Sequence, residues 1–480
     1  MASKIFIGDM PELMENILKH LNNEIHSLHS CALIFSFLGE DEISALKECL
    51  EKETCQINIE FSKTLFEYTR FLKVLNLYSI NKKIEELFCF ESKSYTPETS
   101  MNFVINLLFK LFIENGATLD KLVVYFPDSL KLKPEIFYLL EQNMQFISHL
   151  QYLSLNKTGF SNIESTTTLL RTLAKYATKI RTLIPAYDSY KTPLFHDIIQ
   201  IIKSQEQLRL IYINGIGIKH PSEFHGIISA LESQKNSLQE VTIENCDWNA
   251  EFEILNNCKN LDTFRIRNCD MKLLKILNCK FSTLEIVSEY CDVSATTQFI
   301  EISGLMLKRL KLKLGSMIKV QILELEAFKS FCPNITYLEL WYIEFSTQLI
   351  EVIGNLQKLQ FLTLHFLWDN IDETKEELDV RVIHFAEILP LTLQYLKFWG
   401  NLQLNSCIDI FLNHCSNVPL KTLSIHHLYE EKTVNALIEF SKRNRTLNCV
   451  GLYYYLDDDV KKKVEKYVRL ESYEYTDVHL

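Results

Sequence analysis

The chain has 480 residues, of which 50 are Lys or Arg and 61 are Asp or Glu, a formal charge of −11. That balance offers no basic excess for nucleic acid or an anionic membrane, and 47% apolar with 23% charged residues excludes the disordered and fibrous classes for the bulk of the chain. Only 12 glycines are present, about 2.5% where about 7% is usual, so phosphate-cradling loops are scarce.

The first nine residues carry no signal-peptide apolar run and the 13 cysteines are odd in number, which predicts reduced thiols in a cytoplasmic or nuclear protein. Residues 10–21, Met-Pro-Glu-Leu-Met-Glu-Asn-Ile-Leu-Lys-His-Leu, predict a helix. Pro11 suits its first position, and Met14, Ile17, Leu18 and Leu21 share one face. A polar joint, Asn22 to Glu24, leads into Ile25-His-Ser-Leu28-His-Ser-Cys31-Ala-Leu33. By periodicity alone this segment is an apolar cap for whatever follows. Further on, Phe103 to Ile113 is the most apolar stretch; Asn106 and Lys110 interrupt it, and it falls well short of the roughly 20 residues of a membrane span.

A repeat then runs through the chain: an apolar residue followed by apolar residues three and five positions later. Strong copies begin at Leu150, Leu208, Leu238, Leu261, Leu307, Ile335, Leu359, Leu393, Leu420 and Leu447, weaker ones at Leu72, Leu119, Ile180 and Leu284. From Leu150 onward the first positions are 23 to 34 residues apart. The last two apolar residues of each copy point inward from a short strand, whose side chains alternate, while helical stretches such as 167–177 and 350–356 fill the intervals. No such unit buries its own apolar side, so neighbours must stack. The expected fold is α/β, a solenoid of strand-turn-helix units over 60–456, closed by a capping helix at 457–480. Asp457 to Asp459 and Lys461 to Lys463 suit the two ends of that helix's dipole.

Cys246 and Cys269 each stand eight residues after their unit's first leucine, and Cys258 and Cys332 stand three before the next unit's. They resemble the cysteine-containing class of leucine-rich repeats, in which the thiol is a small buried hydrophobe. With no Cys-x-x-Cys pair, and no cysteines at zinc-finger spacing from His26, His29, His426 and His427, no metal and no cofactor are expected. The N-terminal pattern Met-Pro-Glu-Leu, Ile-Leu-x-x-Leu, Leu-x-x-Cys-x-Leu resembles the first part of an F-box. With leucine-rich repeats behind it, the whole is similar to the F-box and leucine-rich-repeat proteins of the expanded fungal kind. The resemblance implies that residues 1–36 dock to the adaptor of a cullin-based ubiquitin ligase of the SCF type through Met10, Pro11, Leu13, Ile17, Leu18, Leu21, Leu28 and Cys31, and that the repeats bind a protein substrate. Where the family continues into a valine, a basic residue and a tryptophan, this chain runs Ile34-Phe-Ser-Phe-Leu-Gly-Glu-Asp-Glu42, so the box is cut after its second helix.

No enzymatic constellation stands out. Gly215-Ile-Gly217 begins a dinucleotide-like pattern, but His220 occupies the third glycine's place, and a turn after the strand at 211–213 accounts for it. Asp369, Asp372, Glu373, Glu376, Glu377 and Asp379 lack calcium-loop offsets and read as a solvated loop or helix face. The expected function is non-enzymatic, with the alternative that the chain is a plain repeat scaffold lacking any ligase link. The residues flanking each strand's last apolar position face away from the core. They place Arg265, Arg267, Lys311 and Lys313 together, with Ser288 and Tyr290 on the strand between. Trp341, His365, Lys397, Trp399, His426 and Tyr453 follow. These residues predict a cationic patch beside an aromatic ladder, suited to an acidic or phosphorylated peptide with apolar anchors. Neither nucleic acid nor membrane is an expected partner.

Overall fold

The computed structural model describes residues 72–80, 98–126, 131–157, 163–185, 192–215, 221–247, 249–289, 292–315, 322–366, 374–400, 406–415, 418–426, 430–453 and 457–473, with positions 44, 48, 82, 404 and 428. The expected F-box-like segment, 1–36, and its eight adaptor-facing residues lie outside them, as does Tyr290. The strands are β1 (Val74–Asn76), β2 (Lys121–Phe126), β3 (Tyr152–Lys157), β4 (Thr182–Ile184), β5 (Leu210–Asn214), β6 (Glu240–Glu244), β7 (Thr263–Arg267), β8 (Thr283–Ser288), β9 (Arg309–Leu314), β10 (Tyr337–Ile343), β11 (Phe361–Phe366), β12 (Tyr395–Trp399), β13 (Thr422–Ile425), β14 (Cys449–Leu452) and β15 (Arg469–Ser472). The chain divides into two compact units, one up to Val241 with Asn257–Asn260, the other Thr242–Asn256 with everything from Leu261.

In the first unit β1 to β5 pair in chain order, all parallel, and the register lines up Leu75, Leu122, Leu153, Leu183 and Ile211. In the second, β7 to β15 do the same, lining up Phe264, Leu284, Leu310, Leu338, Leu362, Leu396, Leu423, Val450 and Leu470. The apolar triplets of all ten strong copies are buried, none more than 7% exposed. Strand alternation sends them to one side, where the intervening helices cover them, and a buried leucine there is worth about 2–5 kcal/mol against alanine.

Repeat length sets what lies between strands. The 34 residues from Leu359 to Leu393 hold the 14-residue helix Lys375–Ile388, started by a reciprocal cap in which the Thr374 hydroxyl accepts from Glu377 N and the Glu377 carboxylate accepts from Thr374 N. Glu376, Glu377 and Asp379 belong to this helix's first turns, as a solvated helix face requires. The 23 residues from Leu238 to Leu261 hold a 3₁₀ stretch, Ala250–Asn257, and the interval after β7 holds a single turn, Leu273–Ile276. Helices at Ile163–Tyr176 and Thr347–Asn355 enclose the expected helical stretches to within a residue or two.

Two readings of the sequence need correction. At β8 the inward residues are Leu284 and Ile286, so the copy begins at Phe281 and not at Leu284. Ser288 is therefore buried on the inner side, and Glu285 and Val287 take the outward positions assigned to Ser288 and Tyr290. At the C-terminus the expected helix forms, Asp458–Glu465, with the Asp457 carboxylate accepting from Asp459 N at 2.9 Å. It does not end the sheet: β15 follows and pairs with β14.

Buried polar groups are tied to the backbone. The Gln205 carboxamide accepts from Ile180 N at 2.8 Å and donates to Ile201 O at 2.8 Å; that of Gln234 accepts from Leu208 N at 3.1 Å and donates to Ile202 O and Gln205 O. The eight described cysteines are free and buried, Cys246, Cys258, Cys269 and Cys332 among them. Burial pushes the Cys332 and Cys415 thiols up to about 12 and that of Cys258 to about 11. In the second unit Phe264, Phe281 and Phe299 stack at centroid distances of 5.1 and 5.6 Å. Gly400, at φ +119°, follows β12 where any Cβ would press into the Phe366 carbonyl, so this glycine is required. No described helix is long and apolar enough to cross a membrane.

Candidate functional site

Since the inward rows repeat one chemistry, whatever distinguishes this chain stands on the outward rows. In the second unit the register resolves these into three lines crossing the strands. The first runs Thr263, Thr283, Arg309, Tyr337, Phe361, Tyr395, Thr422, Cys449 and Arg469. The middle line is Arg265, Glu285, Lys311, Glu339, Thr363, Lys397, Ser424, Gly451 and Glu471. The third is Arg267, Val287, Lys313, Trp341, His365 and Trp399, continued just past β13, β14 and β15 by His426, Tyr453 and Tyr473.

The expected cations do come together, but not as a bare patch. Glu285, the residue that the corrected register moves onto this face, accepts from Arg265 Nε at 3.1 Å and from Arg267 Nη2 at 3.2 Å. Lys311 Nζ lies 3.3 Å from the Glu339 carboxylate. That carboxylate also accepts from Tyr337 Oη at 2.7 Å and from Trp341 Nε1 at 2.6 Å. The middle line thus alternates in sign across four strands, and opposite charges facing each other on neighbouring strands stabilise the pairing. Burial, with Glu339 beside it, pushes the Tyr337 hydroxyl up. Lys313 Nζ sits 4.1 Å from the centre of the Trp341 ring, and the Arg309 guanidinium 5.5 Å from that of Tyr337.

The aromatic residues also meet. Trp341 and His365 stack at 3.5 Å and 10°. Farther along, Trp399 stands edge-to-face with His426, Tyr453 and Tyr473 at 4.9, 4.4 and 4.9 Å, and Lys397 Nζ lies 3.6 Å from the Tyr473 ring centre. Lys397, His365 and His426 are buried in these contacts, while Tyr453 remains 43% exposed. Tyr337, Phe361 and Tyr395 form a second aromatic line on the strands' N-terminal side, at centroid spacings of 6.2 and 6.0 Å. The arrangement supplies broad ring surface and placed charge, the materials of a protein-binding patch.

Reading only the two positions that flank each strand's last apolar residue left out Arg309, Tyr337, Phe361 and Tyr395. They stand one alternation earlier on the same face, so the signal was present in the period of two. Elsewhere, Asp247, Asp270, Glu289 and Asp292 border a cleft of about 610 Å³ at the ends of β6 to β8. Salt bridges already cross that acidic rim: Lys275 lies 2.8 Å from Asp292 and holds its carboxyl below the usual range, and Lys272 lies 3.9 Å from Asp270. Among the described residues no three His, Cys, Asp or Glu are grouped to hold a metal ion.

No family model matches the chain, and no curated protein matches it. Among solved structures it is similar to the crystal structure of the yeast Rad7 and Elc1 complex, with 13% identity over 94% of this chain and 98% of that one and a TM-score of 0.40. A protein from Bacteroides fragilis matches at 14% identity over 56% of this chain and 74% of that one, with a TM-score of 0.32.

Proposed function

We propose that this chain is a non-enzymatic protein-binding receptor whose strand face in the second unit holds a protein partner. The observation that carries the reading is the concentration of Trp341, His365, Trp399, His426 and Tyr453 on outward strand positions beside placed cations, because large rings and basic groups dominate protein-binding hot spots. The finer part of the proposal is that residues 10–31 bind the adaptor of a cullin-based ubiquitin ligase in the cytoplasm or nucleus, so that the bound partner is presented for ubiquitination. Its support is the F-box-like residue pattern. Purified chain is expected to bind the adaptor, and Leu13→Asp with Ile17→Asp to abolish that binding while circular dichroism stays unchanged. If the folded wild-type chain does not bind, the ligase part falls. A second reading, a repeat scaffold without a ligase link, is favoured by the absence of the valine, basic residue and tryptophan after Leu33.

A further inference from the structure

On β7 to β9 the outward positions carry five cations, Arg265, Arg267, Arg309, Lys311 and Lys313. Glu285 neutralises the first two and Glu339 pairs with Lys311. Arg309 and Lys313 have no carboxylate partner among the described residues; each rests against a ring, Tyr337 or Trp341. Partial burial, with Arg265 nearby as a like charge, holds the Arg309 guanidinium below its ordinary range. A cation in that condition favours an incoming anion, and this local excess stands out in a chain of net charge −11.

We propose that this part of the face receives an extended, carboxylate-bearing segment of a protein partner, with one acidic side chain on Arg309, another on Lys313, and apolar side chains against Tyr337 and Trp341. The inference rests on the reading of the face as a protein-binding surface and names the class of partner. Geometry sets the spacing. Arg309 and Lys313 are four residues apart on one strand, about 13 Å at the strand rise, too far for one anionic group to reach both. Two carboxylates four residues apart on an extended chain project to the same side with the same span. Two separated single charges also suit carboxylates better than a phosphate, which favours converging guanidinium forks.

The test uses the full chain and three fluorescent probes: a nonapeptide of serine and leucine with two glutamates four residues apart, its glutamine twin, and a single-stranded DNA nonamer. Anisotropy is expected to show the glutamate peptide binding at least about tenfold more tightly than the glutamine twin, roughly 1.4 kcal/mol. Raising the salt concentration should erode that preference. Arg309→Gln with Lys313→Gln should remove it, and Lys121→Gln, on a β2 outward position, should leave it unchanged, with circular dichroism reporting the fold of each variant. Equal binding of both peptides would overturn the acidic class while leaving the binding face standing. Tighter binding of the DNA would replace the partner class with nucleic acid, and binding of neither peptide would overturn both the acidic class and the face.

Discussion

The two units share their inward rows and differ on their outward ones. Leu75, Leu122, Leu153, Leu183 and Ile211 in the first unit do the same work as Phe264, Leu284, Leu310 and Leu338 in the second. Outward, β1 to β5 present mainly small polar, aliphatic and isolated tyrosine positions. Their one charged outward residue among those described is Lys121, with Nζ 4.3 Å from the Tyr152 ring centre. The second unit presents an alternating charge line and two aromatic lines. A common core therefore says nothing about a common role, and recognition is expected to follow the outward side chains.

That comparison breaks most readily at the core. Leu153→Ala in the first unit and Leu340→Ala in the second should each cost about 2–5 kcal/mol in urea unfolding; a tolerated substitution in either would show that the inward rows are not equivalent. A smaller effect is expected at Glu285, where Gln removes the charged acceptor of two arginines and should cost about 2 kcal/mol, with tighter binding of the glutamate peptide. Alkaline pH should separate the units next. Folded Cys332 and Cys415 lose their protons only near pH 12, whereas exposed thiols in the unfolded chain do so near pH 9. The unfolded state sheds protons first, so stability is full below pH 9 and falls as pH rises toward 12, by about 1.4 kcal/mol per pH unit for each thiol. Seven of the eight described cysteines belong to the second unit, which should therefore lose the more; equal loss in both would contradict the comparison. Least of all, Arg309→Gln with Lys313→Gln should change stability by no more than about 0.5 kcal/mol per site, confining its effect to binding.

Much of this was legible in the sequence because the repeat demands so little: apolar residues at a fixed spacing, whatever their identity. The same tolerance produced the slip at β8. Val287 is apolar but faces outward, so Leu284 with Val287 imitated the start of a copy three residues late. That slip hid Glu285, and with it the neutralisation of Arg265 and Arg267. Nor could spacing reveal that Lys397 and His426 are buried, since their cover comes from Trp399, Tyr453 and Tyr473 leaning across neighbouring strands. Inward positions follow from the period of two, whereas contacts among outward side chains depend on size and reach across several repeats.

The relay of Gln205 and Gln234 gives the first unit a property that its strands alone would not. Each carboxamide holds a backbone N–H of one repeat while donating to carbonyls of the following or preceding helix end, and Gln234 grips the carbonyl of Gln205 itself. Local opening of one repeat therefore strips hydrogen bonds from the next. The amide protons of Ile180 and Leu208 should exchange with solvent at closely matched rates, as members of one cooperative foldon, and Gln234→Leu should release both.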